Sequence, residues 1–293
     1  MTINFLAQTY PKITLLFVGI FGACMGSFAA LIIYRWPQDI SVVTPRSFCQ
    51  ACQQRIKAWH NIPIISWLLL RGRCANCRTS YGSRSLIIEI IFTLAALAIF
   101  MKFGLSIASL EKFGFIFLLI CLAYIDLDTY VLPLGMLALL GLWGLFFTAF
   151  YYYCPSAYVP MGEAFGPLKY LVPKIPLDII PDRFVGGLSG FLFFSFINIG
   201  ATWILRAIKK LEPEQWAMGW GDPLLLMAIG LFVGLTHLLL VIFLASVAGS
   251  LMGIALRIIK SPPSEASNAE DIAPGALPYG PFLALAAIYV YLF

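Results

Sequence analysis

Long apolar runs, separated by short polar or proline-rich stretches, recur along this chain of 293 residues. About 20 apolar residues in an α-helix cross a hydrocarbon layer of about 30 Å. The pattern therefore predicts an all-α integral membrane protein with about eight transmembrane helices. The predicted spans are 12–34, 85–104, 109–127, 131–153, 183–208, 222–234, 236–258 and 280–292. A turn around Gly234 joins the sixth span to the seventh, and the same pattern is compatible with one bent segment.

The composition agrees with a membrane environment. Hydrophobic residues make up 61% of the chain and charged residues 11%, whereas about a quarter of a soluble domain is charged. The net charge of +5 does not indicate nucleic-acid binding, because the basic residues lie in interhelical loops rather than in a stripe with exposed aromatic side chains. The stretch 261–274, rich in serine, proline and acidic residues, is predicted to be a flexible loop.

The basic residues predict how the chain is oriented. The loop between the first two spans holds eight basic residues and one acidic residue, Asp39. By the positive-inside rule this loop lies in the cytoplasm. With eight spans both termini then face the other side. The end of the third span, at Asp126, and the start of the sixth, at Asp222, fall on the cytoplasmic face.

Four cysteines inside the basic loop form a C-x-x-C pair at Cys49 and Cys52 and a second pair at Cys74 and Cys77. Four thiolates satisfy tetrahedral zinc without an open position, which predicts a structural metal site. Such a site lets a loop of about 50 residues fold without a large core. Two disulfides or two redox-active pairs are the alternatives, and a reducing cytoplasm disfavours them. The predicted domains are a first transmembrane helix at 1–34, a cytoplasmic zinc-binding domain at 35–84 and a helical membrane domain at 85–293.

Acidic residues in or beside apolar helices are candidates for function, because a charge is costly there. The four candidates are Glu89, Asp126, Asp128 and Asp222. Asp126 and Asp128 are two residues apart and point to different sides of a helix, so the partner of either must come from another span. Glu89 lies little more than a turn from Arg84 and is expected to reach the interface or to pair with an arginine.

Asp222 follows the two glycines Gly219 and Gly221 at the start of an apolar helix. With Pro223 in the first turn, a simple helix cap is one interpretation. The other is a carboxylate pair with Asp126, in which one member keeps its proton while the other draws a proton from water, as in aspartic proteases. The sequence offers no clear set of serine, cysteine and histidine residues for nucleophilic catalysis. The loop cysteines are better explained as metal ligands, and His237 is predicted on the outer side of the membrane.

These residues together resemble the bacterial type IV prepilin peptidases, which are GxGD-type aspartyl proteases, along nearly the whole chain. The resemblance rests on Gly26 to Phe28, Ile33 to Arg35, the double C-x-x-C with Asn61 to Pro63, Ser66, Trp67 and Leu70 to Arg73 between the pairs, Arg84, Glu89, Asp126 to Asp128, Leu132, Pro133, Gly219 to Asp222, and Gly280 to Phe282.

The resemblance implies a hydrolase of the bacterial cytoplasmic (inner) membrane. Its substrates would be type IV prepilins or type II secretion pseudopilins, which lose a basic leader at the cytoplasmic face. It implies Asp126 and Asp222 as catalytic residues, with Gly219 and Gly221 supporting them. It also implies N-methylation of the new N-terminus with S-adenosylmethionine. The methylation rests on the resemblance alone, because the sequence shows no glycine-rich nucleotide loop.

Two positions depart from the family pattern. Leu134 and Leu224 stand where relatives usually carry a polar or charged residue. These departures are compatible with an alternative function, in which the protein is a catalytically silent relative that scaffolds pilus or secretion assembly. An ion-coupled transporter is a further alternative, although the acidic residues lie at one membrane edge rather than at the midplane, where transport sites usually lie.

Overall fold

The computed structural model describes residues 11–154, 179–208, 215–259 and 278–292. The loop predicted at 261–274 lies outside these residues. The described residues form eight α-helices: α1 Pro11–Arg35, α2 Ile65–Leu70, α3 Arg84–Phe103, α4 Ile107–Thr129, α5 Leu134–Tyr153, α6 Ile179–Ala207, α7 Gly221–Ile259 and α8 Gly280–Leu292. Within the described residues, β-structure is limited to two isolated bridges.

Six of the described helices, α1 and α3 to α7, are long and apolar enough to cross a membrane, and α8 is a shorter apolar helix. The prediction of an all-α, multi-pass membrane protein is therefore confirmed. The exposed surfaces of these helices carry many large apolar side chains, as expected where lipid rather than water is the neighbour.

The sixth and seventh predicted spans form the single element α7, which is interrupted at Gly234. This residue has φ 71° and ψ 174°, a conformation that side-chain-bearing residues rarely adopt. Asp182, in the first turn of α6, accepts hydrogen bonds from the amides of Leu235 at 3.0 Å and Thr236 at 3.4 Å. The carboxylate therefore caps the second half of α7, whose first amides have no intrahelical acceptor.

The chain divides into two compact units, one ending at Cys121 and the other beginning at Leu122. The first unit contains α1, the four-cysteine segment and α3. Gly26 of α1 lies so close to α3 that a Cβ there would stand 2.6 Å from Glu89 Cα. A residue without a side chain is thus required at this crossing, as is common where membrane helices approach closely.

The second unit contains the end of α4 and helices α5 to α8. Gly186 of α6 and Gly230 of α7 lie against each other's backbone. Gly144 of α5 similarly admits the ring of Phe232 on α7. The ring of Tyr291 on α8 packs edge-on to Phe232, with 5.9 Å between centroids. Helix α7 is therefore the central element of this unit. The predicted domains 1–34, 35–84 and 85–293 stay a prediction.

Candidate active site and metal centre

The four loop cysteines converge on one point. Their sulfur atoms all lie within 4.8 Å of one another, and those of Cys49 and Cys77 are 3.7 Å apart. Four sulfurs placed about 2.3 Å from a tetrahedral zinc ion stand about 3.8 Å from each other. All four cysteines are free thiols, and the structure therefore does not contain the alternative pair of disulfides. The donor set and its spacing fit a structural zinc ion.

Each cysteine pair is presented by the same local turn. The amide of Gln53 donates to Cys49 O at 2.8 Å, and the amide of Arg78 donates to Cys74 O at 3.1 Å. Both Gln53 and Arg78 have positive φ, at 57° and 60°. Antiparallel bridges close both turns, between Phe48 and Arg55 and between Arg73 and Ser80. Two equivalent hairpin turns therefore supply two sulfurs each.

Local hydrogen bonds favour the thiolate form of the second pair. The hydroxyl of Thr79 lies 3.4 Å from Cys77 Sγ, and hydrogen bonds from this hydroxyl and from the Thr79 backbone are the main causes that lower the pKa of Cys77 to about 6. The backbone amide of Cys77 also lowers the pKa of Cys74. Since zinc binds the deprotonated sulfur, these bonds favour metal binding near neutral pH.

In the second unit, the structure brings Asp126 and Asp222 together. Asp126 is buried near the end of α4, and Asp222 is half-buried in the first turn of α7. Gly221 lies against Leu132, where a Cβ would stand 2.8 Å from the leucine Cβ. The two carboxylates are close enough to interact electrostatically. Asp128 is exposed, which agrees with the prediction that it faces another side of its helix.

Helix α8 supplies a contact to this pair that the sequence did not reveal. The amide of Gly280, the first residue of α8, donates to Asp126 Oδ2 at 3.1 Å. A Cβ at Gly280 would stand 2.5 Å from the same oxygen. Glycine is therefore required here for close approach, and the positive end of a helix dipole faces the carboxylate.

The neighbouring residue adds a phenol to the same region. Tyr279 Oη lies 3.0 Å from Ser246 Oγ, and its ring stacks on Phe194 with 5.8 Å between centroids. Burial raises the pKa of Tyr279, and the negative charge of Asp222 raises it further. The hydroxyl therefore stays protonated at neutral pH and remains a hydrogen-bond donor beside the aspartate pair.

A polar stripe on α6 holds the segment that leads into the Gly219–Asp222 motif. The amide of Met218 donates to Asn198 Oδ1 at 3.0 Å, and the amide of Ala217 donates to Thr202 Oγ1 at 2.9 Å. Arg206 donates to Gln215 O at 2.9 Å. These three α6 residues are spaced by four, which puts them on one helix face. This spacing within an apolar helix was the signal available in the sequence, and the prediction missed it.

Glu89, in the first unit, is buried, with 8% of its surface exposed. Its carboxylate accepts the amide of Ile64 at 2.7 Å and a hydrogen bond from the side chain of Ser27. These two contacts were not predicted from the sequence, because they come from the four-cysteine loop and from α1.

The two positions that depart from the family pattern lie at helix starts. Leu134 is the first residue of α5 and is 66% exposed. Leu224 is half-buried in the first turn of α7.

Two family models match the chain. The Bacterial Peptidase A24 N-terminal domain matches residues 20–103, and the Type IV leader peptidase family matches residues 113–254. No solved structure matches the chain.

Three relatives show how far the likeness extends, and each is named prepilin leader peptidase/N-methyltransferase. That of Aeromonas salmonicida is 28% identical over 96% of this chain and 91% of its own. That of Myxococcus xanthus is 30% identical, and the alignment covers 88% of this chain and 68% of the relative's length. That of Pseudomonas putida is 27% identical, and the alignment covers 97% of this chain and 91% of the relative's length. The likeness thus covers both compact units.

Proposed function

Because the chain belongs to the type IV leader peptidase family, we propose that it is a prepilin leader peptidase and N-methyltransferase. It removes the basic leader from type IV prepilins or type II secretion pseudopilins and then methylates the new N-terminus. The family, predicted from sequence motifs, is confirmed by the matching models and relatives.

The observation that carries the peptidase assignment is the pairing of Asp126 with Asp222 in one unit. Two carboxylates at short range do not both ionise easily, so the pair holds one proton between them. The ionised member takes a proton from water while the water oxygen attacks the scissile carbonyl carbon. The protonated member donates to the carbonyl oxygen, and the amine then leaves with a proton.

One neighbouring group supports an assignment of roles. The Gly280 amide donates to Asp126 Oδ2, which favours the ionised form of that carboxylate. We therefore assign Asp126 as the general base and Asp222 as the member that carries the shared proton at rest.

The membrane placement follows from the charge distribution. The protein is a multi-pass membrane protein, and we place it in the bacterial inner membrane with residues 35–84 in the cytoplasm. The apolar helix of the prepilin enters among the spans from the lipid, while its basic leader stays in the cytoplasm. This arrangement presents the scissile bond at the membrane edge, where the sequence predicts Asp126 and Asp222.

The two activities use different parts of the chain's chemistry. The four cysteines would hold a zinc ion that keeps residues 35–84 folded, and a metal with four sulfur ligands has no open position for cleavage chemistry. S-adenosylmethionine would be the donor of the methyl group that the new N-terminal amine receives.

The test is a cleavage assay in lipid nanodiscs with a prepilin that carries its leader, followed by intact mass. Asp126→Asn and Asp222→Asn should each slow cleavage by about 10²- to 10⁴-fold, which is what acid–base catalysis supplies. Asp128→Asn, with the same chemical change at an exposed position, should cleave normally. Full activity of either dyad variant would refute the assignment. Absence of cleavage by the wild-type chain with several pilins and pseudopilins would favour the silent scaffold.

A further inference from the structure

The short helix α2, in the segment between α1 and α3, presents an exposed apolar face. Its residues Ile65, Leu68 and Leu69 are 53%, 59% and 77% exposed. Their spacing of three and four residues puts them on one side of the helix. The other side packs within the protein: Ser66 is buried, and its hydroxyl donates to Trp59 O at 3.1 Å. Large apolar side chains grouped in this way indicate an interaction surface.

Hydrogen bonds fix α2 beside the ends of two membrane spans. Ile64, the residue before α2, donates its amide to the Glu89 carboxylate at 2.7 Å, and Glu89 lies about 7 Å along α3 from its first residue. The same carboxylate is bound by the side chain of Ser27 on α1. Trp67 Nε1 donates to the carbonyl of Gly82, just before α3, at 2.7 Å. Helix α2 is therefore held at the edge of the apolar helices, where the surrounding medium is the headgroup region of the bilayer.

The charges around α2 narrow the class of partner. Between α1 and α3 the sequence has one acidic residue, Asp39, and six exposed basic residues, which are Arg46, Arg55, Lys57, Arg71, Arg73 and Arg78. Trp59, which is 63% exposed, has the Lys57 ammonium 5.5 Å from the centroid of its ring. Tryptophan is enriched where a membrane meets water, and groups of basic residues beside a span bind anionic lipids. Charge and aromatic character therefore indicate the same partner as the apolar face.

We propose that α2 is an interfacial helix that docks the four-cysteine segment on an anionic bilayer surface. Ile65, Leu68 and Leu69 enter the boundary between headgroups and acyl chains, as the apolar face of an amphipathic helix does at a membrane surface. The basic side chains around α2 bind the phosphates of anionic lipids. The segment between α1 and α3 is thus attached to the membrane along α2 as well as through the two spans that flank it.

Photo-crosslinking to lipid tests this docking directly. The full-length, zinc-loaded protein is prepared as Leu69→p-benzoylphenylalanine in nanodiscs that contain phosphatidylglycerol, irradiated, and analysed by intact mass. Gln50→p-benzoylphenylalanine, at an exposed polar position in the first cysteine turn, is the control. The variant at Leu69 should gain the mass of one phospholipid in a yield at least about fivefold above that of the control. Replacing phosphatidylglycerol with phosphatidylcholine should lower this yield by about threefold or more.

Three other outcomes contradict the proposal. Absence of a lipid adduct at Leu69 would show that the apolar face meets water. A crosslink from Leu69 to another part of the chain, or to a second copy, would show that protein rather than lipid covers the face. An equal yield of adduct in the two lipids would overturn the binding of anionic headgroups by the basic side chains.

Hydrogen exchange of the α2 amides in nanodiscs provides a second test. Leu69→Gln keeps a good helix former but makes the side chain polar, and exchange within residues 65–70 should become about tenfold faster because the lipid contact is lost. Leu69→Met keeps an apolar side chain and should exchange like the wild type. Zinc content reports whether the fold is kept. If the glutamine variant exchanges like the wild type, or both variants exchange equally fast, the lipid contact is refuted. Neither test uses a prepilin, so both are independent of the proposed function.

Discussion

The four-cysteine cluster and the aspartate pair are assembled in opposite ways. Each cysteine pair is formed by a short turn, and two such turns separated by 21 residues complete the metal site. Asp126 and Asp222 are 96 residues apart, and the Gly280 amide that binds Asp126 lies 154 residues along the chain from it. The four-cysteine cluster depends on local turns that present four sulfurs to one point, whereas the aspartate pair depends on how helices pack. Different changes should therefore break them.

The largest effect is expected for loss of a zinc ligand. Cys49→Ser and Cys74→Ser should each lower zinc affinity by at least about 100-fold, because structural zinc binding of about 10–16 kcal/mol is shared by four ligands. Zinc stoichiometry by elemental analysis and limited proteolysis of residues 35–84 measure the result. Cys154→Ser changes an exposed cysteine of the other unit and should keep full zinc. Equal zinc content in all three variants would contradict the structural metal site.

The second prediction separates two possible roles of Gly280: close approach to the Asp126 carboxylate and backbone flexibility. Gly280→Ala places a Cβ against the Asp126 carboxylate, and the displaced side chain should slow cleavage by about 30- to 100-fold. Gly200→Ala is the control, since a Cβ there meets no atom within 4 Å. Initial rates and thermal unfolding are compared in one preparation. A fully active Gly280→Ala variant would show that the α8 contact does not position Asp126.

The polar stripe on α6 should have a smaller effect. Thr202→Val removes the acceptor for the Ala217 amide without changing the side-chain shape, and we expect a loss of about 1–3 kcal/mol in unfolding free energy. The cleavage rate should fall about tenfold, because this segment leads into Asp222. Thr202→Ser keeps the hydroxyl, so its unfolding free energy and its cleavage rate should stay near those of the wild type. If valine and serine behave alike, the hydrogen bond does not hold the segment.

The smallest effect on cleavage is expected at the break in α7. Gly234→Ala forces a side chain into a positive φ and against the Asp182 carboxylate, which should cost about 1–3 kcal/mol of stability. The rate per folded molecule should stay near that of the wild type. Gly141→Ala, in open space on α5, should be neutral or slightly stabilising. A large rate loss at Gly234 with unchanged stability would indicate that the break acts on the aspartates.

Several features of the fold could be predicted because they depend on neighbours in the sequence. Apolar runs of sufficient length indicated the membrane helices, and the break at Gly234 was placed correctly within the longest of them. The C-x-x-C spacing indicated a four-sulfur site. The two-residue spacing predicted that Asp126 and Asp128 point to different sides of one helix, and Asp126 is buried whereas Asp128 is exposed.

Other features escaped prediction because they depend on residues distant in the chain. Gly280 was noticed only as part of a family motif, and its contact with Asp126 was not predicted. The Asn198, Thr202 and Arg206 stripe was overlooked because each residue alone is unremarkable in an apolar helix. The contacts of Glu89 with the Ile64 amide and with Ser27 were not predicted, since its neighbours in sequence give no sign of them.

The sequence alone determined that this chain is a helical membrane protein with a four-thiolate cluster and a family resemblance to leader peptidases. These properties follow from hydrophobic length and from the short spacing of ligands, which act over one or two turns. Only the tertiary structure decided which backbone amides reach Asp126 and Glu89, and which side chains hold the segment before Asp222. Those contacts arise when helices distant in the chain pack at glycine crossings, and no local pattern encodes that packing.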